Sequence, residues 1–588
     1  MQQSSQQSIL MRLRVRLGIN DPQVLIVVGW LMALLGFLVV VPLVLVLWFS
    51  LRTVGPGQPD GAFTLNNYRE TFLNPLTYEL LVNTFWFSLG SIAVGLIIGI
   101  GFAWLIERTN TPLRNFGFVS VVINGAMPAS MFAIAWVLVL NPRTGLLNMP
   151  FTQLLDWDKG IFNPNTMTSM IFVEGIRLSA TIFLMVVGLF RSMDPALEEA
   201  SAMSQAGLIK TARHVTLPIL TPGLLGVVIY IATSTIGVFE IPGVMGMPAD
   251  IHVLATRIFV ATTESPPNYG FATSLASIAA ILGIVGIILY HKVTKVQQKF
   301  ATVTGKGFRP RRIELGPRGK AIGAGSIILF FVAGFGLPMV ILFWASLIPF
   351  YQAPTPEALK FVTFDAYQFI LFGPGRNEFM QGLKNSLLLI MVVPFVTMLL
   401  SAIISWFVVR GRVQGKSILD AMAFLPHSVP GIVMGLAWLI LGLFILSPLY
   451  GTIWLIALAH VSLFIAYGTR TTNGAMFQLH RELEEASSMS GVGWLSTFRH
   501  IIIPLLLPSL VAGWLWIAIH SGRELTVALL LQSSNNRIIS AYVWKQFFNG
   551  RLDLAAAAGV LLVGLIIILV VVARYAGQKL ADPSSRRS

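Results

Sequence analysis

Two stretches of this chain repeat one another: Leu197–Gly207 reads LEEASAMSQAG, and Leu483–Gly493 reads LEEASSMSGVG. Over the longer segments Leu197–Pro218 and Leu483–Pro504, twelve of the 22 aligned residues are identical. The offset between the copies is constant at 286 residues (485 − 199 and 504 − 218). A fixed offset in a long chain is typical of two copies of one structural unit. The sequence therefore predicts two homologous halves.

The composition places these halves in a lipid bilayer. Hydrophobic residues make up 55% of the chain and charged residues 11%, and the mean hydropathy is +0.76. The apolar residues form runs longer than about 18 residues, the length of a membrane-spanning helix. These runs argue against the alternative, a large soluble protein with an apolar core. We therefore expect an integral membrane protein.

Charge and cysteine content exclude several classes of function. The chain has no cysteine, so it has no disulfide, thiolate metal site or cysteine nucleophile. Its net charge of +15 lies beside apolar runs, which favours anionic lipid over nucleic acid as the partner. The first apolar run, Val24–Trp48, is too long for a signal peptide and is interpreted as a retained first helix.

The apolar runs predict twelve membrane spans, six in each half. Those of the first half lie near 24–50, 81–106, 116–140, 169–190, 219–239 and 271–291. Those of the second half lie near 321–347, 385–409, 419–445, 452–469, 505–520 and 554–576.

Basic residues near the ends of the spans predict the orientation. With the N-terminus inside, the inner segments hold 27 of the 40 Lys and Arg residues and the outer segments 12. Both termini are therefore predicted to be cytoplasmic. The predicted domains are an N-terminal tail (1–23), a first six-helix domain (24–291), a basic linker (292–320), a second six-helix domain (321–576) and a C-terminal tail (577–588).

Six spans per half give both halves the same orientation. The predicted fold class is an all-α integral membrane protein of 12 transmembrane helices, arranged as two parallel six-helix repeats related by a pseudo-two-fold axis along the membrane normal. Weaker matches between the halves support the duplication. Asn83-Thr84 opens the second span as Asn385-Ser386 opens the eighth.

The repeated motif has the features of a short exposed helix. Asp194 and Pro195 suit a helix start, and the acidic residues that follow favour the positive end of the helix dipole. The small residues that follow permit close approach of another surface. A helix that merely lies on the lipid surface is the alternative. Two nearly identical copies at matching topological positions favour a protein partner instead.

Glu199-Ala200-Ser201 and Glu485-Ala486-Ser487 resemble the EAA loop of ABC importer permeases, in which a glutamate is followed by glycine six residues later and by proline nineteen residues later. The second copy fits completely, whereas the first has Gln205 at the glycine position. The resemblance implies that each loop is a coupling helix seated on an ATP-hydrolysing subunit. The residues assigned to ATPase coupling are Glu198, Glu199, Ala200, Ser201, Gly207, Pro218, Glu484, Glu485, Ala486, Ser487, Gly491 and Pro504.

The resemblance also implies the partners of this chain. They are two copies of an ABC ATPase subunit and an external, periplasmic solute-binding protein. The chain itself is expected to be no enzyme and to bind no cofactor or metal, with ATP and Mg on the ATPase. Its nearest phosphate-loop candidate, Gly411–Ser417, is one residue short of the required pattern and follows no strand.

Charged residues within or beside the spans are candidates for the substrate pathway, because a charge at the centre of a span costs about 2.5 to 3.5 kcal/mol unless it is paired or hydrated. Glu174 and Arg177 lie three residues apart in the fourth span, where a local ion pair is the alternative. Glu240 closes the fifth span and Arg523-Glu524 follows the eleventh. These acids would line a cation path or cap a helix end.

Proline residues predict breaks in two equivalent spans. Pro128 lies in the third span and Pro430 in the ninth. In permeases of the resembled family such breaks contribute to gates, and a kink that serves only packing is the alternative.

The segment Arg523-Glu524-Leu525 is similar to one in fused permeases of iron(III) importers, and iron(III) is therefore the first candidate for the cargo. Thiamine, polyamines, sulfate and phosphonates remain alternatives. An ion-driven secondary transporter is the alternative mechanism, and a membrane enzyme or scaffold is a third class. A transporter of this family implies a multi-pass location in the bacterial inner membrane.

Overall fold

The computed structural model describes residues 22–58, 61–193, 196–204, 207–298, 312–411 and 415–581. Regular secondary structure in these ranges is helical throughout, which confirms the predicted all-α class. The predictions made for Asp194, Pro195 and Gln205, for most of both terminal tails and for part of the basic linker lie outside the described residues.

The first half of the chain contains helices α1 to α12. Segments of π-helix at Gly36–Val40 and Ala212–Thr216 continue α1 and α9, respectively. The helices are α1 (Pro22–Leu35), α2 (Val41–Ser50), α3 (Asn66–Leu73), α4 (Pro75–Arg108), α5 (Arg114–Ala126), α6 (Ala129–Val139), α7 (Met167–Ser192), α8 (Ala196–Met203), α9 (Leu208–Thr211), α10 (Leu217–Thr235), α11 (Leu254–Thr263) and α12 (Tyr269–Gln298).

The second half contains helices α13 to α25, again with π-helical segments, at Val332–Gly336 and Phe498–Ile502. The helices are α13 (Pro317–Phe331), α14 (Leu337–Ser346), α15 (Asp365–Leu371), α16 (Arg376–Val409), α17 (Lys416–Ser428), α18 (Gly431–Phe444), α19 (Ile453–Gln478), α20 (Glu482–Met489), α21 (Trp494–Thr497), α22 (Ile503–Arg523), α23 (Thr526–Leu531), α24 (Ile539–Phe548) and α25 (Leu552–Ala581).

The helices of the two halves correspond in length and order. Helices α7 and α19 have 26 residues each and begin 286 residues apart (453 − 167). Helices α4 and α16 have 34 residues each and begin 301 residues apart (376 − 75). The offset changes between these pairs because the connecting loops differ in length. The duplication inferred from one motif therefore extends to long helices whose sequences show little similarity.

Among the described residues, nine helices are long and apolar enough to cross a membrane, and four further pairs of helices are bent at a short break. The twelve predicted spans correspond to the nine helices and three of the bent pairs. The fourth pair, Pro242–Ala249 with Leu254–Thr263, bends by 73° and was not predicted as a span. Each of its arms is too short to cross a bilayer alone.

The chain forms two compact units, which we call unit I and unit II. Of the described residues, unit I contains those within Met1–Leu65, Glu378–Ala541 and Gly564–Ser588, and unit II contains those within Asn66–Asn377 and Tyr542–Val563. In unit I, α1 and α2 pack against α17 and α18, which belong to the second half of the sequence. In unit II, α13 and α14 pack against α5 and α6. The first span of each half therefore belongs to the compact unit that contains most of the other half. The predicted domains at 24–291 and 321–576 had placed each first span with its own half.

The core of unit II lies between α4 and α7. Glycines on both helices allow this close packing: a Cβ atom at Gly99 would lie 2.9 Å from the carbonyl oxygen of Ser179 and 2.8 Å from Ile182 Cγ2. Leu178, Ile182 and Phe183 of α7 are buried in the resulting cluster. Small residues that allow two helix backbones to approach closely are typical of helix packing in membranes.

We expect Gly99→Val to destabilise the protein, because the new side chain would push α4 away from α7. Overpacking of this kind costs about 1–3 kcal/mol. Gly101→Val is the matched control, since a Cβ atom at Gly101 meets nothing within 4 Å. Thermal unfolding in detergent measures both variants. Equal unfolding temperatures for the two variants would contradict the packing described for Gly99.

Candidate coupling loops and buried polar clusters

Each repeated motif forms an eight-residue helix, α8 in unit II and α20 in unit I. A one-turn helix, α9 or α21, follows each of them and continues through a π-helical segment into the next span. The structure places Glu198 and Glu199 in the first turn of α8, and Glu484 and Glu485 in the first turn of α20. Negative charge in the first turn of a helix interacts favourably with the positive end of the helix dipole.

One face of α20 is attached to unit I. The carboxylate of Glu484 lies 3.1 Å from Nε of Arg410, and the Arg410 Nη2 donates a hydrogen bond of 2.9 Å to the carbonyl oxygen of Met476. The same nitrogen donates to the carbonyl oxygen of Leu479. Arg410 therefore joins α20 to the C-terminal end of α19.

The same arrangement occurs in unit II. The carboxylate of Glu198 lies 3.4 Å from Nη1 of Arg108, whose side chain is 1% exposed. The Arg108 Nη2 donates to the carbonyl oxygens of Phe190 and Met193, over 2.8 and 3.2 Å. The hydroxyl of Thr216 also donates to Glu198, over 2.7 Å. Arg108 thus joins α8 to the end of α7.

The serine of each motif forms a hydrogen bond with a threonine of the helix that follows. The hydroxyls of Ser201 and Thr211 are 2.9 Å apart in unit II, and those of Ser487 and Thr497 are 2.7 Å apart in unit I. Each hydrogen bond ties the motif helix to the one-turn helix that follows it. This contact gives the serine of the motif a structural role.

The two arginines were not identified from the sequence. Arg108 and Arg410 are 302 residues apart (410 − 108), whereas the motifs are 286 residues apart. An alignment anchored on the motif therefore does not pair them. The signal that would have found them is an arginine at the end of each second span, at the point where α4 and α16 end.

Burial influences the charge of the attached glutamate. Desolvation raises the pKa of the Glu484 carboxyl above its ordinary value, and the positive charge of Arg410 opposes that shift. Arg410 therefore favours the ionised form of this partly buried carboxylate.

Another face of each motif helix is exposed. Glu485, Ala486 and Met489 are exposed on α20, and Met489 has 89% of its surface accessible. On α8, Ala200 is exposed and Met203 is 87% accessible. Met489 lies four residues after Glu485 and three after Ala486, and Met203 lies three after Ala200, so each methionine shares a helix face with these residues. Both helices thus offer a small residue beside an exposed methionine.

Gly491 ends α20 in the left-handed region, with φ of +74°. The backbone nitrogen of Val492 donates over 3.2 Å to the carbonyl oxygen of Ser487, which is the pattern of a helix that stops at glycine. Gly207 is exposed in the loop after α8. Pro218 and Pro504 each occupy the second position of the following span, α10 or α22, where the missing backbone donor is tolerated.

The structure brings together three of the predicted pathway residues in unit II. Arg177 Nε donates to Glu174 Oε2 over 2.8 Å, and its Nη2 donates to Oε1. The Glu174 side chain is fully buried, whereas that of Arg177 is 24% exposed. Glu240 lies near enough to interact electrostatically with Arg177. The local ion pair expected for Glu174 and Arg177 is therefore present.

A second polar cluster lies in unit I around Glu524. Its carboxylate accepts hydrogen bonds from the backbone nitrogens of Val527 and Ala528, over 2.9 and 3.2 Å, and so caps the start of α23. The carboxylate also lies 3.1 Å from Nε2 of His460, which is fully buried. The other ring nitrogen of His460 lies 2.9 Å from the hydroxyl of Ser521. Glu524 therefore has the capping role that was one of its two predicted alternatives.

Arg523 is the last residue of α22. Its Nη2 lies 2.7 Å from Nε2 of His520, and the ring of His520 stacks on Trp516 with centroids 3.6 Å apart. Tyr467 stacks on the other side of Trp516, also at 3.6 Å. The side chains in this stack and Arg523 are partly exposed.

His460 was not identified from the sequence, although its position is informative. It lies 286 residues after Glu174 (460 − 174), and both residues are fully buried. Each unit thus carries one buried ionisable side chain at the same point of α7 or α19. The residue type differs, which explains why comparison of the halves did not reveal it.

The predicted breaks at Pro128 and Pro430 are present. Helices α5 and α6 meet at an angle of 101°, and α17 and α18 at 108°. Pro128 and Pro430 are the N-terminal caps of α6 and α18, and each follows a residue with extended backbone. A residue before proline avoids the helical region, so the chain turns there. The third span of each half therefore consists of two half-helices and is not one kinked helix.

No three His, Asp or Glu side chains in the part of the chain that the structure describes lie close enough together to hold a metal ion.

Residues 398–587 match the family described as "Binding-protein-dependent transport system inner membrane component". This part of the chain includes α20 and the motif around it. The match confirms the resemblance predicted from the two loops.

Several similar proteins span most of the chain, and others match about half of it. The ferric transport system permease protein FbpB of Actinobacillus pleuropneumoniae is 24% identical over 81% of this chain and 68% of its own length. The Fe(3+)-transport system permease protein FbpB 2 of Haemophilus influenzae is 22% identical over 84% of this chain and 89% of its own. The sulfoquinovosyl glycerol transport system permease protein SmoG of Agrobacterium fabrum is 25% identical over 45% of this chain and 87% of its own.

Proposed function

We propose that this chain, whose residues 398–587 match the family of binding-protein-dependent transport system inner membrane components, is the transmembrane permease of an ATP-driven importer. It is a transport subunit and not an enzyme. Both halves lie in one polypeptide, so a single chain would supply the two bundles that such a permease needs.

The observation that carries this proposal is the pair of equally anchored motif helices. Each is held on one face by an arginine, Arg108 or Arg410, and leaves its other face exposed. A short helix with an exposed alanine and methionine suits a groove on another protein, because small and flexible side chains allow close contact. Two such helices per chain suit two ATPase subunits, each of which would bind ATP and Mg.

The partners follow from this arrangement. We expect both motif helices on the cytoplasmic side, where ATP is available, as the distribution of basic residues predicts. An external solute-binding protein would deliver the cargo on the opposite side. The membrane would be the bacterial inner membrane.

Co-purification tests the permease role. The full chain, carrying an affinity tag, would be expressed together with each ABC ATPase encoded beside its gene. We expect one ATPase to be retained at two copies per chain, in detergent and without added nucleotide. A chain that transports solute while retaining no ATPase would instead support an ion-driven secondary transporter.

Iron(III) is the cargo that we propose. Its support is the names of similar proteins that span most of the chain, which are ferric transport permeases. Thiamine, polyamines, sulfate, phosphonates and a sugar derivative such as that named for SmoG are the alternatives.

We expect cells that produce the chain with its ATPase and binding protein to take up radiolabelled iron(III), and cells lacking the chain not to. The Glu485→Lys variant serves as the uncoupled control. Equal iron uptake with and without the chain would exclude iron(III) and leave the permease role intact, because co-purification measures that role separately.

A further inference from the structure

The long helices α4 and α16 are held at both ends. At the end near the motif, Arg108 or Arg410 binds the motif helix of the same unit. The other end carries the pairs Asn83-Thr84 and Asn385-Ser386, whose similarity was noted in the sequence.

These polar pairs hold the segment that precedes α11 or α24. In unit II, the Asn83 side chain donates to the carbonyl oxygen of His252 over 3.1 Å, and the hydroxyl of Thr84 accepts from the nitrogen of Leu254 over 2.9 Å. In unit I, the Asn385 side chain donates to the carbonyl oxygen of Arg537 over 2.9 Å. The hydroxyl of Ser386 accepts from the nitrogen of Ile539 over 3.0 Å.

The two attachment points are equally spaced in both units. Asn83 and Arg108 are 25 residues apart (108 − 83), as are Asn385 and Arg410 (410 − 385). At about 1.5 Å per residue this is about 38 Å along the helix, more than the thickness of a hydrocarbon core of about 30 Å. Each helix is therefore long enough to link two sites on opposite sides of a membrane.

Both helices are stiffened by a neighbouring helix. Helix α4 packs closely on α7 through Gly95 and Gly99. Helix α16 is joined to α19 by Ser405, whose hydroxyl bonds Thr472 and the carbonyl oxygen of Thr469. These contacts join each helix to its neighbour between the two attachment points, and in α16 they lie on the C-terminal side of the internal Pro394.

We propose that α4 and α16 are connecting rods: each transmits movement of its motif helix to the segment before α11 or α24 at the opposite side of the membrane. Arg108, Arg410, Asn83, Thr84, Asn385 and Ser386 are the positioning residues of these rods. The inference rests on the proposed function, since an ATPase supplies the movement. It adds the route by which that movement reaches the external side.

The absence of cysteine permits a direct test. Ser534→Cys places a single thiol at an exposed position between α23 and α24, three residues before Arg537. The full chain, purified with its ATPase, would be labelled with a maleimide with and without ATP, Mg and vanadate. We expect the nucleotide to change the labelling rate of this cysteine.

Removing the side-chain contacts at either end of α16 should abolish the effect of nucleotide on the labelling rate. With Arg410→Met, or with Asn385→Ala and Ser386→Ala together, we expect the ratio of the two labelling rates to fall to one while the ATPase stays bound. Arg410→Lys should restore part of the response. Arg499→Met is the matched control, because Arg499 is exposed beside the same loop, and its response should be retained.

If Arg410→Met fails to fold, Glu484→Gln tests the same contact from the carboxylate side. Retention of a nucleotide response in both rod variants would overturn the inference, as would an unresponsive cysteine in the otherwise unmodified complex. Loss of the ATPase from the complex with no rod variant present would contradict the proposed function instead. The two failures are therefore distinguishable.

Discussion

Arg177→Leu is expected to cause a severe loss of folded protein, because it removes the partner of a fully buried carboxylate. The Glu174 side chain has no exposed surface, and both of its oxygens accept hydrogen bonds from Arg177. Removing one member of a buried ion pair costs about 3–5 kcal/mol, since the other charge is left unpaired. We expect the amount of protein recovered as a single species in detergent to fall strongly.

Two variants identify the cause of this loss. Arg191→Leu is the matched control on the same helix, because Arg191 pairs with Glu107 and is 58% exposed. An exposed pair of this kind contributes about 0–1 kcal/mol, so its loss should be tolerated. The double variant Glu174→Leu and Arg177→Leu removes both charges and should recover most of the folded protein. Failure of this double variant to recover would show that the charge pair is not the cause.

The same double variant distinguishes a structural role of Glu174 and Arg177 from a role in transport. If the recovered protein transports its cargo normally, Glu174 and Arg177 form a structural pair. If it folds but does not transport, they belong to the substrate pathway. The sequence left these alternatives open, and the measurement is uptake normalised to the amount of folded permease.

Glu485→Lys is expected to abolish transport while the permease still folds. The side chain is exposed on α20 and is not one of the two groups, Glu484 and Arg410, that attach this helix to unit I. A residue at the centre of an interface typically contributes about 2 kcal/mol or more, which corresponds to roughly 30-fold in affinity. We therefore expect ATPase binding to weaken by about that factor and ATP hydrolysis to become independent of cargo.

Ala486→Leu tests the same face by bulk instead of charge, and Ala200→Leu tests the equivalent position of α8. Both alanines are exposed, so the larger side chain meets no atom of its own unit that would prevent folding. Glu482→Lys is the matched control, because Glu482 lies on the same helix, is exposed and is not part of the motif. Normal ATPase binding by Glu485→Lys and Ala486→Leu together would remove the proposed docking role of this face.

The helices were largely predictable because the signals that produce them are local. Apolar runs of sufficient length indicated the spans, and Pro128 and Pro430 indicated the breaks because the residue before a proline disfavours the helical region. The segment between Glu240 and Gly270 was harder. Its two short arms, Pro242–Ala249 and Leu254–Thr263, are too short to appear as a span and too apolar to appear as an ordinary loop.

The candidate site was predictable only in part. The exposed residues of the motif were found because the motif occurs twice, whereas Arg108 and Arg410 were not found because insertions shift them out of the alignment. His460, the partner of Glu524, was also not found by comparing the two halves. His460 lies 64 residues away in the sequence, and its equivalent in the other half is a glutamate.

The sequence by itself determined the membrane environment, the helical class, the duplication and the positions of both motif helices. Each of these depends on hydrophobicity, helix periodicity or a repeated segment, which are properties of neighbouring residues. Only the tertiary structure decided that the first spans change units, that one arginine holds each motif helix, and that polar side chains hold α4 and α16 at their other ends. These contacts join residues that are far apart in the chain, and which of them meet depends on how the helices pack.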